Sequence, residues 1–148
     1  MPRNIDLRVR SEVYDKVLER GFIPSSKQLA VSLGVAISEV KSALQRLSHE
    51  HVLVLQPESG EVLMAMPFSA VPTSFIVRDG NFSWYANCSW DAFGIGAMLG
   101  RASVIHTACG CCGEGLLVNN PPESIETDTR VVHFAVPVAQ WWDDVVFT

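Results

Sequence analysis

The residues best suited to chemistry are four cysteines, which fall into two groups. Cys88 lies in the segment of residues 84–94, three positions before Asp91. A thiol and a carboxylate at this spacing share one face if the segment is helical, so a soft nucleophile and a proton donor would flank one small cavity. The other three cysteines fall within four positions, at Cys109, Cys111 and Cys112. Both groups indicate soft-metal chemistry.

The second group has the spacing of a metal knuckle, since Cys109 and Cys112 are separated by two residues. A structural zinc needs four ligands, and the sequence offers no second pair at this spacing. The side chains that could complete the site are Cys111, Cys88 and His106, or a ligand from a second subunit in a homodimer. The bound metal could be Hg, Zn or Cu. A redox disulfide between Cys109 and Cys112 is a rival interpretation, and unreactive reduced thiols are another.

Composition limits the class of protein. The chain has 148 residues, of which 48% are hydrophobic and 18% charged, as is typical of a globular protein. The sequence has no export signal and no apolar run near the roughly 18 residues that cross a bilayer, so we expect a cytoplasmic protein with reduced thiols and no membrane partner. The net charge is −5, with a small positive excess only in residues 1–51.

Apolar spacing predicts three helices near the N-terminus, at residues 11–20, 25–34 and 38–49. Ser25 and Gln28 form a capping-box pattern at the start of the second helix, and Gly34 is suited to end it. Two strands, at residues 52–55 and at Val62–Ala65, would follow as a wing. The pattern predicts a winged helix-turn-helix module over residues 1–70. Its third helix is mixed in charge, so we do not expect nucleic acid to be the partner.

Residues 67–73 contain two prolines and are predicted to be an extended linker. Beyond it, residues 71–148 alternate short apolar strands with one helix at Ser89–Leu99. The predicted strands are residues 74–77, 82–85, 103–106, 116–119 and 130–136, and residues 140–147 begin a further helix or strand. The fold class is therefore α+β, with a winged-helix module packed on a small mixed-sheet domain.

Several of these segments resemble the alkylmercury (organomercurial) lyase family, over most of the chain. They are Gln28-Leu29-Ala30, Pro67-Phe68-Ser69, residues 84–91, Leu99-Gly100-Arg101 and Trp141-Trp142-Asp143-Asp144. The most specific part is Cys88-Ser89-Trp90-Asp91. The resemblance implies that Cys88 binds mercury, that Asp91 takes part in proton transfer to the departing carbon, and that no cofactor is required. It also implies organomercurial substrates, small thiols as partners, and a winged helix that packs beside the active site.

The sequence departs from the family at one position. The resemblance implies a second metal-binding cysteine just after the segment that residues 141–148 match, and none is present up to Thr148. We therefore expect that Cys109, Cys111 or Cys112 replaces it, that the sequence is a C-terminally truncated member, or that the protein binds metal without cleaving a bond. The alternative function is a non-catalytic Zn, Cu or Hg binding protein, or a metal-responsive winged-helix regulator.

Overall fold

The computed structural model describes residues 4–121 and 129–146. These residues form an α+β fold in which one seven-stranded antiparallel sheet has the order β1-β2-β3-β5-β4-β6-β7. The helices are α1 (Asn4–Arg20), α2 (Ser26–Leu33), α3 (Ile37–His49) and α4 (Ser89–Leu99). The strands are β1 (Val54–Leu55), β2 (Val62–Ala65), β3 (Phe68–Ser69), β4 (Ile76–Arg78), β5 (Ser83–Ala86), β6 (Ser103–Ala108) and β7 (Gly115–Asn120). Within the described ranges, no helix is both long and apolar enough to cross a membrane.

Local capping signals fix the second helix where the sequence predicts it. The Ser25 backbone N–H donates to the Gln28 side chain at 2.8 Å, and the Gln28 backbone N–H donates to the Ser25 hydroxyl at 3.3 Å. Gly34 ends α2 with φ of 66°, a left-handed conformation that glycine adopts without a steric penalty. The predicted start of the first helix at residue 11 is wrong, because α1 already begins at Asn4. Its first turns are held by Asp6, which pairs with Arg46 of α3 at 2.6 Å.

The segment predicted to be a linker contains an interior strand of the sheet. Phe68 and Ser69 form β3, which pairs with β2 on one side and with β5 on the other. Phe68 is buried, and it lies opposite Ala86 of β5. The prediction that residues 67–73 are an extended linker is therefore wrong at β3: the β1–β2 hairpin and the strands that lead to Cys88 belong to one continuous sheet.

The predictions for residues 130–136 and 140–147 are also wrong. No strand forms at residues 130–136, and Val131 in this segment is 90% exposed. Residues 138–146 contain only a 3₁₀ turn at Val138–Gln140 and further turns, and Phe147 lies outside the described residues. Side-chain contacts hold this segment instead: the Trp142 ring stacks on His51 with 4.2 Å between the ring centroids.

Helix α4 is positioned by dense packing on the sheet. Ile95 is fully buried, and Gly96 lies so close to β6 and β7 that an added Cβ would meet Asn120 Nδ2 at 2.3 Å. Trp84 of β5 is buried beneath the helices, and its indole N–H donates to the Val17 carbonyl of α1 at 3.0 Å. These contacts fix both the strand before Cys88 and the helix after it.

Candidate functional site

Cys88 is the residue at which β5 turns into α4. It occupies the N-cap position with an extended backbone, two residues after the last residue of β5, and its side chain is half-buried. Burial raises the pKa of the Cys88 thiol, and the backbone amides of Asp91 and Trp90 partly oppose that effect. The free thiol therefore holds its proton more firmly than an exposed cysteine does, and a metal that binds the sulfur must displace that proton.

Asp91 lies in the first turn of α4, on the same side as Cys88. Its negative charge contributes to the raised pKa of the Cys88 thiol, which shows that the two groups are close enough to interact. Burial also raises the pKa of the Asp91 carboxyl, while a hydrogen bond from Asn87 opposes the rise. The structure thus brings together the predicted thiol and the predicted proton-transfer group, and it favours the protonated form of each.

The Asn87 side chain links Asp91 to the segment just before β3. The sequence analysis did not predict this contact. The Asn87 amide nitrogen lies 2.8 Å from Asp91 Oδ2 and 3.3 Å from the Pro67 carbonyl, and it can donate to both. Its own amide oxygen is buried and has no hydrogen-bond partner among the residues that the structure describes. The only sequence signal for this residue is its position next to Cys88, because the contacts depend on the approach of residues 66–68.

Tyr14 reaches the same region from α1. Its hydroxyl donates to the Met66 carbonyl at 2.9 Å. Burial raises the pKa of the Tyr14 hydroxyl, and the charge of Asp91 adds to that rise, so the phenol lies near the carboxyl. No local sequence pattern indicates Tyr14, since it lies in the first helix and meets Asp91 only in the folded chain.

The second group of cysteines lies in the turn between β6 and β7. The loop is closed at its base by the Cys109 N–H, which donates to the Glu114 carbonyl, and by the Gly113 N–H, which donates to the Cys109 carbonyl, both at 2.8 Å. The backbone amides of Cys112 and Cys111, followed by the Cys112 side chain, lower the pKa of the Cys109 thiol. All four cysteines are free thiols in this structure, and the disulfide between Cys109 and Cys112 that was the rival interpretation is not formed in it.

The two cysteine groups leave the sheet at the same end. Strand β4 lies between β5 and β6 and is antiparallel to both, with Ile76 opposite Tyr85 on one side and His106 on the other. Cys88 and Cys109 each follow their paired residue by three positions, so β5 and β6 run in the same direction towards them. Two strand spacings separate these exits by roughly 10 Å.

A groove of about 840 Å³ lies at this end of the sheet. Its walls include Ser89 and Phe93 of α4, Cys109 and Glu114 of the β6–β7 turn, and His133. Within the described residues, no group of three or more histidine, cysteine, aspartate or glutamate side chains is arranged to hold a metal ion. The structure therefore pairs Cys88 with Asp91, and Cys109 with Cys112, without merging the two pairs into one four-ligand centre.

Comparison with known proteins agrees with this architecture. Two curated relatives, the alkylmercury lyases of Bacillus cereus and Clostridium butyricum, are each 29% identical over 125 residues, which is 82% of this chain and 55% of the relative. A solved structure, the mercury-bound form of MerB2, matches with a TM-score of 0.60 and 18% identity. That match covers 79% of this chain and 56% of the other, and it supports the fold.

The chain spans about half the length of the curated relatives it matches. The alternative function, a non-catalytic metal-binding protein or regulator, is not favoured by these relatives. The sequence profile of the alkylmercury lyase family matches residues 68–148, the part that contains β3 to β7, Cys88, Asp91 and the β6–β7 turn. This match covers more than half of the sequence, and the chain belongs to the alkylmercury lyase family.

Proposed function

We propose that this chain cleaves carbon–mercury bonds by protonolysis, with Cys88 as the thiol that binds mercury and Asp91 as the group that delivers the proton. The observation that carries the proposal is the first turn of α4, where a half-buried thiol and a carboxyl with a raised pKa interact. Soft thiolates favour mercury, and a carboxyl whose pKa is raised by burial holds its proton more firmly than an exposed one, which suits an acid.

The first step is ligand exchange at mercury. An organomercurial arrives as a complex with a small thiolate, the Cys88 sulfur forms a bond to mercury, and the small thiolate leaves with the Cys88 proton. The partly buried position of Cys88 favours this exchange, because the neutral mercury thiolate that forms is easier to bury than a free thiolate.

The second step breaks the carbon–mercury bond. The proton of the Asp91 carboxyl passes to the carbon, the bonding pair of the carbon–mercury bond forms the new C–H bond, and a hydrocarbon leaves. Mercury remains bound to Cys88 and takes a second thiolate, and Asp91 is left as a carboxylate. Asn87 is a positioning residue in this scheme, since its amide nitrogen lies 2.8 Å from Asp91 Oδ2.

Other features of the proposal come from the family rather than from the geometry. We infer that the reaction requires no cofactor, that small thiols remove the product, and that the protein works in the cytoplasm. Helices α1–α3 and the β1–β2 hairpin would act as a winged-helix module that packs beside the site. The hydrogen bond from the Trp84 indole N–H of β5 to the Val17 carbonyl of α1 supports this packing role.

The test is hydrocarbon release from phenylmercury acetate in the presence of excess small thiol, under reducing conditions. Replacing the thiol in Cys88→Ser, or the acid in Asp91→Ala, should each lower the rate at least about a hundredfold, the range expected when an acid or nucleophile is lost. The matched control is Cys111→Ser, which removes an exposed thiol and should retain wild-type rates. Wild-type rates in either test variant would contradict the proposed roles.

A further inference from the structure

The β6–β7 turn holds two thiols in a small closed loop, apart from Cys88. Its base is fixed by two backbone hydrogen bonds of 2.8 Å, and Gly113 takes a left-handed conformation with φ of 74° that lets the chain return into β7. Cys109 and Cys112 lie three positions apart inside the turn that the hydrogen bond from the Gly113 N–H to the Cys109 carbonyl closes. The fold therefore holds both thiols on one short turn before any ligand binds.

The spacing of the cysteines selects one pair within this turn. Cys109 and Cys112 are separated by two residues, the spacing of a metal knuckle, whereas Cys111 directly precedes Cys112 and its side chain is exposed. The pair that could share one ion is thus Cys109 and Cys112.

The number of ligands limits which cation fits. Zinc in structural sites has four ligands, and no cluster of even three potential ligands is present in the part of the chain that the structure describes. Two adjacent thiolates satisfy a soft cation that takes two sulfur ligands. Mercury(II) is such an ion, and it is also the product of the reaction proposed at Cys88.

We propose that Cys109 and Cys112 form a separate two-thiolate site that accepts Hg²⁺ released at Cys88. The acceptor role rests on the proposed function, whereas binding of inorganic Hg²⁺ to the loop does not. In the transfer, the mercury bonds to Cys88 and to the small thiolate break as two bonds to Cys109 and Cys112 form. The Cys112 proton passes to Cys88, the small thiolate leaves as a thiol with the Cys109 proton, and no atom changes oxidation state.

The position of the loop supports the transfer. Cys88 and Cys109 leave the same end of the sheet from strands that have β4 between them, and both Cys109 and Ser89, the residue after Cys88, line the groove. An ion carried by a small thiol can therefore pass from one site to the other along one surface of the protein.

The binding test titrates HgCl₂ into the reduced full-length chain against a competing small monothiol, with stoichiometry read by native mass spectrometry. All variants carry Cys88→Ser, so that only the loop thiols remain. We expect this background and its Cys111→Ser derivative to bind one Hg²⁺ per chain. Adding Cys112→Ser or Cys109→Ser should weaken binding at least about tenfold, or about 1.4 kcal/mol.

Three results would overturn the site. The first is unchanged affinity for Hg²⁺ after Cys109→Ser or Cys112→Ser. The second is an equal loss of affinity after Cys111→Ser, which would indicate that any nearby thiol can act as a ligand. The third is binding of ZnCl₂ as tight as that of HgCl₂. Hydrocarbon release is measured separately: a loop that binds Hg²⁺ in a chain without hydrocarbon release contradicts the proposed function alone, and release without loop binding contradicts this inference alone.

Discussion

Cys88 and Cys109 lie at the same end of one sheet, yet the chain treats their sulfur atoms in opposite ways. Cys88 caps a helix that is packed on the sheet, and burial raises the pKa of its thiol. Cys109 begins a hairpin turn, and converging backbone amides lower the pKa of its thiol. The difference shows how one fold can shift the pKa values of two nearby thiols in opposite directions.

This contrast matches the two proposed tasks. In the proposed reaction at Cys88, a substrate exchanges a ligand and then receives a proton from a neighbouring acid, which favours a partly buried site that retains protons. At the proposed site in the β6–β7 turn, an ion has only to be captured by two sulfurs, which favours an accessible site where the pKa of a thiol is lowered. The variants below separate the two regions, beginning with the largest expected effect.

The Cys109→Ser/Cys112→Ser double variant should separate bond cleavage from product removal. We expect steady-state turnover of phenylmercury acetate at limiting small thiol to fall about tenfold, because release of the product then controls the rate. A single turnover with enzyme in excess should keep the wild-type rate of hydrocarbon release, since Cys88 and Asp91 are unchanged. Cys111→Ser is the control. If the double variant lost as much rate in the single turnover as in steady state, the loop would take part in bond cleavage.

The difference between the two thiols should also appear in their reaction with iodoacetamide. Alkylation requires the thiolate, so at pH 7 we expect Cys109 to be labelled several-fold faster than Cys88, as measured by peptide mass spectrometry over time. The Cys112 side chain helps to lower the pKa of the Cys109 thiol. The Cys112→Ser variant should therefore slow the labelling of Cys109 at pH 7. Faster labelling of Cys88 than of Cys109 would reverse the comparison.

Local signals made part of this molecule predictable. The Cys88–Asp91 spacing and the range of α4 both follow from residues close in sequence, and the capping box at Ser25 determined where α2 begins. The pairing of β3 could not be predicted, because two residues flanked by prolines carry no strand pattern until β2 and β5 lie beside them. Residues 130–136 have the apolar content of a strand, but no strand pairs with them in the described chain.

The surroundings of the site depend on the same long-range contacts. Neither the approach of Tyr14 nor the hydrogen bond from Asn87 to the Pro67 carbonyl can be inferred from spacing, since both need the packed sheet. Likewise, the shared exit of Cys88 and Cys109 follows from the strand order β5-β4-β6, in which β4 reverses direction between them. The sequence indicated candidate residues for the chemistry, while the fold determined which of them are neighbours.

The smallest expected effect is on stability, at the acid beside Cys88. Burial raises the pKa of Asp91 above its ordinary value of 3.8, so the folded state binds this proton more tightly than the unfolded state does. At pH values well below 3.8 both states are protonated, and the carboxyl behaves as a neutral group. As the pH rises, the unfolded state loses its proton first, and the stabilisation from the neutral carboxyl disappears by the time the pH has passed the folded-state pKa.

Asp91→Asn should therefore raise the free energy of unfolding at pH 7.5 while it abolishes hydrocarbon release. The amide has no charge to bury, and its oxygen can still accept the hydrogen bond from Asn87. Because the carboxyl is only partly buried and water screens its charge, we expect a gain of no more than about 1 kcal/mol. Urea unfolding at pH 7.5 and pH 3.5 measures it, with the exposed Asp143→Asn as control. A gain at pH 3.5 as large as that at pH 7.5 would show that packing, and not the charge of Asp91, accounts for the change.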